Sequence, residues 1–257
     1  MMDSSKGAVL IDCDILCYQF GFPHEDTKSF GVIAKQLDNF IQGLLDKFST
    51  DEWYGFLTGK GNYREQLAVT HKYKGNRVKP KPKWFKDIRE YLMYVHDVQV
   101  IHHMEADDAL AMHMTANPLA ICCTIDKDLR TVEGWHYSWG RGDIPEKPLE
   151  YITEYGYVKL KENRKDVIGG GAAFLYSQAL TGDKVDNIIG LQGYGPVAAV
   201  TALEGCTTEL QLHEVVKRCY EEAGEPYSRL VENMQLLWMT RELDNDNKPV
   251  LWRGLDE

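Results

Sequence analysis

The stretch His103-Met104-Glu105-Ala106-Asp107-Asp108-Ala109-Leu110-Ala111 places three carboxylates within four residues, at the start of an amphipathic run that Met112 continues. Acidic side chains suit a helix N-terminus, where free N–H groups and the positive end of the macrodipole face them. Two acids in a first turn need no other explanation. A third adds like-charge repulsion, tolerable in solvent or where a hard cation neutralises it. Similar acid pairs recur three more times along the chain, and they decide between these options.

Working outward, each pair follows a recognisable element. Ala8-Val9-Leu10-Ile11 is the short apolar run of a buried parallel strand and delivers Asp12 and Asp14 at its C-terminal end. Residues 52–58 and Val98-Gln99-Val100-Ile101 read as the second and third strands, the latter feeding the acidic helix. Residues 119–125 form a fourth, ending in Asp126 and Asp128, and residues 135–139 an alternating fifth near the sheet edge. Apolar spacing predicts helices over 15–20, 30–48 and 84–94. Strands separated by helices argue for an α/β class with a mostly parallel sheet over residues 1–140. Residues 141–257 read as a helical region: Gly169-Gly170-Gly171 opens one helix, and two more run over about 209–223 and 226–241.

The 257 residues are 44% hydrophobic, enough for a buried core, and carry a net charge of −10. The charge is unevenly placed. Lys60 to Glu90 holds ten Lys or Arg against three acids, so that segment is +7 and the remainder −17. A basic arm for a polyanion beside an acidic centre for metal has this pattern. Six cysteines form no CxxC pair and read as small buried residues of a reducing compartment. With no apolar signal region and no membrane-length apolar window, the expectation is a soluble cytoplasmic protein with no membrane partner.

The acids Asp12, Asp14, Glu105, Asp107, Asp108, Asp126 and Asp128 fall at element ends, the edge where open α/β sheets place their chemistry. Asp183 and Asp186 are three residues apart, so on a helical turn they face the same way. Many carboxylates without a His or Cys cluster call for Mg²⁺ or Mn²⁺ rather than zinc. Two such ions together can activate water and stabilise a leaving oxygen in phosphodiester hydrolysis. Gly190, Gly193 and Gly195, with Pro196 opening the next helix, suit either a backbone cradle for phosphate or an ordinary turn. In the basic segment, Tyr63, Tyr73, Trp84 and Phe85 interleave with the cations and offer stacking surfaces to bases, while Lys74 and Arg77 are placed to clamp a phosphate.

The order of Ile11-Asp12-Cys13-Asp14, Tyr73-Lys74-Gly75-Asn76-Arg77, Glu105-Ala106-Asp107-Asp108, Asp126-Lys127-Asp128 and Gly182-Asp183-Lys184-Val185-Asp186-Asn187, with Gly193-Tyr194-Gly195, resembles the 5′-nuclease family. That family comprises flap endonucleases, the 5′-nuclease domains of bacterial DNA polymerases and the stand-alone 5′-exonucleases of tailed phages, which the short length most resembles. The resemblance spans about residues 8–204. It implies a PIN-like sheet, a basic arch over about 60–90, and a helix-hairpin-helix over about 181–204 that grips duplex DNA with a bound potassium ion at Gly190, Gly193 and Gly195. By the same resemblance, Asp12, Glu105, Asp107 and Asp108 serve one divalent ion, and Asp126, Asp128, Asp183 and Asp186 a second. Lys74 and Arg77 contact the scissile phosphate, and Tyr73 the DNA. One departure stands out: Gly59 occupies the place where an Asp is expected after the second strand, so the first ion would bind more weakly, or through water or Asp14.

The implied activity is Mg²⁺-dependent 5′-3′ exonuclease or flap endonuclease cleavage of DNA with 5′ ends or flaps, including RNA–DNA primer junctions, by a monomer serving phage DNA replication in the host cytoplasm. Two rivals share these features. One is a structure-specific DNA-binding protein weakened in catalysis at Gly59. The other is a PIN-type ribonuclease, which needs neither the glycine hairpin nor the basic arm.

Overall fold

The computed structural model describes residues 7–27, 29–77 and 80–255. Lys79 of the basic count and the first six residues lie outside them. The chain divides into two compact units: residues 1–61, 78–126 and 134–151 in the first, and residues 62–77, 127–133 and 152–257 in the second. The division does not follow chain order. The first part of the basic segment and the residues around Asp128 pack with the C-terminal half.

The first unit is built on a sheet of β1 (Val9–Asp12), β2 (Trp53–Thr58), β3 (Gln99–Ile101), β4 (Ile121–Cys123), β5 (Gly134–Ser138) and β6 (Lys147–Ile152) in the order β3-β2-β1-β4-β5-β6. β1 pairs parallel with β2 and β4, β2 with β3, and β4 with β5. The order runs outward in both directions from β1 and β4, which makes their C-terminal ends the topological switch point, the crevice where α/β folds hold ligands. Helices α1 (Cys13–Gly21) and α2 (Phe30–Phe48) precede α3 (Arg64–Leu67), which belongs to the second unit; α4 (Phe85–Val95) and α5 (Ala106–Ala116) complete the first. α2 buries Ile33, Leu37, Ile41, Leu44 and Leu45, one stripe at helical spacing, in a core with Val9, Ile11, Leu16 and Leu92.

The second unit has its own core around α6 (Gly171–Thr181), buried from Gly171 through Leu180, as expected of a helix apolar on all sides. It is preceded by the hairpin of β7 (Tyr157–Leu160) and β8 (Val167–Gly170) and followed by the short pair β9 (Gly182–Asp183) and β10 (Ile188–Ile189). α7 (Pro196–Ala202), α8 (Glu209–Glu222) and α9 (Tyr227–Leu237) complete it. These small β pairs sit in a region the sequence reads as purely helical. α3 is fixed here by Arg64, which is fully buried and donates to the carbonyls of Leu236 (3.0 Å) and Trp238 (2.6 Å). Among the described residues, no helix is long and apolar enough to cross a membrane.

Candidate active site

In the first unit, the apolar run of β1 ends in Asp12, which is only 3% exposed. Its carboxylate caps α1 by accepting from the Ile15 N–H (3.4 Å) and accepts from the Thr124 hydroxyl (3.3 Å) beyond β4. The same hydroxyl oxygen accepts from the Asp126 N–H (3.0 Å), so one threonine sets both acids at the switch point. Asp14, one step along α1, accepts from the Thr58 N–H (3.0 Å) and pairs with Arg89 (3.0 Å), whose second nitrogen donates to the Thr58 carbonyl (2.8 Å). On α5, Glu105 and Asp108 form a capping box, with the Glu105 N–H donating to the Asp108 carboxylate at 3.1 Å. Asp108 is fully buried in that helix end. Asp107 lies half-buried in the same turn.

Burial, then repulsion from Asp14 and Asp126, pushes the Asp12 carboxyl up to about 8. Burial likewise raises Asp14; its bonds with Thr58 and its ion pair with Arg89 oppose that rise, and repulsion from Glu105 adds to it. Asp12, Asp14, Asp126 and Glu105 therefore sense one another electrically. Among the described residues, no three His, Cys, Asp or Glu side chains already close around one point as a chelate. The donor set nonetheless fits a hard divalent cation: it is all oxygen and crowded, and burial followed by repulsion pushes Asp12 and Asp14 toward protonation.

The expectation that Gly59 holds the missing acid's place is corrected by the backbone. A Cβ at Gly59 would stand 2.6 Å from the His102 ring and from the Ile101 carbonyl oxygen, so a carboxylate there would require the backbone to shift. Thr58, the last residue of β2, is the one among the acids: its hydroxyl accepts from the Ala106 N–H (2.9 Å) at the start of α5.

The second unit gathers the remaining acids, each against a cation. Asp183, 3% exposed, accepts from the N–H groups of Val185 (2.7 Å) and Asp186 (3.2 Å) through one oxygen and from the Lys127 ammonium through the other. Lys127 also donates to Asp128 (2.8 Å), whose same oxygen accepts from the Gln178 amide (2.6 Å). Burial pushes Asp183 up, yet Lys127 and the two N–H groups hold it below the usual carboxylate range. Asp186 accepts from the Tyr73 hydroxyl (2.8 Å) and Arg77 (2.7 Å), and Lys74 stands at 3.5 Å. Tyr73, Lys74 and Arg77 thus meet at one acid, with Asn76 donating to the Lys184 carbonyl (2.6 Å).

The glycines divide by role. Cβ atoms at Gly182 and Gly190 would each stand 2.3 Å from the other's backbone nitrogen, so Gly190 permits close pairing of two backbones. Gly193, at φ +87, and Gly195 border open space before Pro196 starts α7. Arg89, Thr124 and Gln178 carry no local signal in the sequence that marks these contacts. Only Lys127 carried a local signal, standing between two acids in Asp126-Lys127-Asp128.

This mostly parallel sheet flanked by helices is a fold shared with solved 5′-exonuclease and flap endonuclease structures. Three solved structures from bacteriophage T5 share it. They are the D15 protein co-crystallised with metal ions (18% identity, 90% of this chain and 89% of that one, TM-score 0.57), the 5′-exonuclease with zinc bound (17%, the same coverage, 0.58), and the D15 flap endonuclease in a pseudo-enzyme–product complex with DNA and metal ions (16%, the same coverage, 0.57). No family model and no curated protein matches the sequence.

Proposed function

We propose that this chain is a divalent-metal-dependent DNA 5′-nuclease that hydrolyses phosphodiester bonds at or near 5′ ends and flaps. The observation that carries the reading is the crowding of Asp12, Asp14 and Asp126 at the switch point of this fold, where burial and mutual repulsion raise the Asp12 carboxyl. Bound Mg²⁺ or Mn²⁺ would supply an activated water and stabilise charge at the leaving oxygen. Asp12, Glu105 and Asp126, with Asp107 and Asp108 beside them, would hold ions in the first unit. Asp128, Asp183 and Asp186 would do so in the second. Lys74 and Arg77 exchange Asp186 for the substrate phosphate and steady its developing charge. The Gly193–Gly195 turn, with potassium, grips the duplex backbone. The protein acts as a monomer in the host cytoplasm during phage DNA replication, on DNA and on RNA–DNA primer junctions.

Thr58 favours a second reading, a junction-binding protein with weakened catalysis, because a hydroxyl at the β2 edge brings no charge. One experiment separates the two: cleavage of a 5′-labelled flap and a matched blunt duplex in Mg²⁺, Mn²⁺ or EDTA, beside Asp126→Asn and Thr58→Asp. Metal-dependent release of short 5′ products by the native chain, lost in Asp126→Asn, supports the nuclease. Tight flap binding without cleavage, and cleavage gained by Thr58→Asp, supports the binding protein. Cleavage of RNA only, at equal salt, would overturn both.

A further inference from the structure

Two carboxylates of the second unit, Asp128 and Asp183, converge on a positive charge that the chain itself supplies. The Lys127 ammonium contacts Asp183 and stands 2.8 Å from Asp128. Asp183 has its other oxygen committed to the Val185 and Asp186 N–H groups, so its remaining oxygen is the one Lys127 takes. The Asp128 oxygen that Lys127 uses is also held by Gln178. Lys127 is about half exposed (47%), whereas Asp183 is almost fully buried (2%), so the anchor of this pair is rigid and its cation is on a flexible stem open to water. An exposed ion pair contributes little, but a buried carboxylate stripped of its cation is costly.

We infer that Lys127 is a tethered counter-ion, occupying the place of a divalent cation between Asp128 and Asp183 and leaving it when such a cation binds. The inference rests on the metal-dependent reading proposed above. A divalent ion about 2.1 Å from both of these oxygens would stand in the space the ammonium fills, and two cations cannot occupy that position together. The chain therefore keeps this acid pair neutralised and folded without metal, and sets a threshold that the second ion must exceed. The released ammonium extends into solvent, where a phosphate is a suitable partner.

The test is calorimetric titration of the native chain, Lys127→Met and Lys184→Met with Mn²⁺, paired with thermal unfolding in EDTA. Lys184→Met removes an equal charge from the neighbouring exposed position, and so controls for long-range attraction. The expected result is that Lys127→Met binds its weaker Mn²⁺ roughly tenfold more tightly, as loss of one charge-assisted competitor implies. It also unfolds roughly 3 °C or more lower in EDTA and recovers with Mn²⁺, while Lys184→Met follows the native chain in both. Unchanged Mn²⁺ affinity in Lys127→Met, with or without loss of stability, leaves Lys127 a structural ion pair and overturns the inference. An equal gain in Lys184→Met overturns it as well. Absence of Mn²⁺ binding by all three chains refutes the metal-dependent reading itself.

Discussion

Replacing Asp12 by Asn should stabilise the metal-free protein while weakening its response to metal. Asp12 is a buried carboxylate whose pKa is pushed up to about 8 by burial and by Asp14 and Asp126, from an ordinary value of 3.8. Because the folded-state value is the higher one, the stability it contributes is complete below about pH 4 and is lost as pH rises through about 8. At about 1.4 kcal/mol per pH unit, the loss reaches roughly 4 kcal/mol by pH 7. Asn retains an oxygen for the Ile15 N–H and carries no charge, and the Thr124 hydroxyl can turn to suit the amide. Since the Asn amide must itself be buried, recovery of about 2 kcal/mol is expected, or roughly 4–8 °C in the unfolding midpoint at pH 8. The assay is thermal unfolding of both chains in EDTA across pH 5–8, then with Mg²⁺ added. The native chain should lose stability with rising pH and regain it with Mg²⁺; Asp12→Asn should be flatter in pH and gain less from Mg²⁺, since only the acids of the second unit remain complete. An Asp12→Asn chain less stable than native in EDTA at pH 8, or one equally stabilised by Mg²⁺, would refute the reasoning.

Arg64→Met should cost about 3 kcal/mol, because the Leu236 and Trp238 carbonyls are left without their buried donor; urea unfolding checks it, and a change within error would mean the guanidinium is replaceable packing. Arg77→Ala and Lys74→Ala should weaken flap binding regardless of sequence and lower the slope of log affinity against log salt by about one each, measured by anisotropy titration at several salt concentrations. An unchanged slope would leave both residues as structural partners of Asp186. Gly182→Ala should destabilise by about 2 kcal/mol or more, since φ is +71 and the added Cβ would meet the Gly190 nitrogen; thermal unfolding reads it directly.

The sequence makes the sheet legible where residues are buried on both faces. β1 and β4 announce themselves as buried apolar runs and β5 by alternation, and α2 spans 30–48 as its spacing predicts, because five inward residues fall on one stripe. The hairpin β7–β8 and strand β6 escape notice because their residues are largely exposed or half-buried and carry Lys and Glu, so no apolar alternation marks them. α9 stops at Leu237, short of the expected 241, because Trp238 turns to extended backbone and its carbonyl goes to Arg64. The acids were readable because strand ends can be located from the strands themselves. Their cations were not. Lys127 meets Asp183 across 56 residues and Arg89 meets Asp14 across 75, contacts that no local pattern encodes. A linear charge count also places Arg64 in a solvated basic arm, whereas the fold buries it completely.

The interleaving of the two units has a practical consequence for dissecting the protein. The second unit takes residues 62–77 and 127–133 from within the first. A fragment starting at Ile152 would lack Arg64 and Tyr73 from its interior, Arg130 with its bonds to the Gly169 carbonyl (2.8 Å) and the Tyr157 hydroxyl (2.9 Å), and Lys127 beside Asp183. Such a piece would be born with holes and unpaired charges, and so would its N-terminal complement carry two loose excursions. Deletion mapping would then report loss of every function at once, and only point substitutions can assign roles to the two halves.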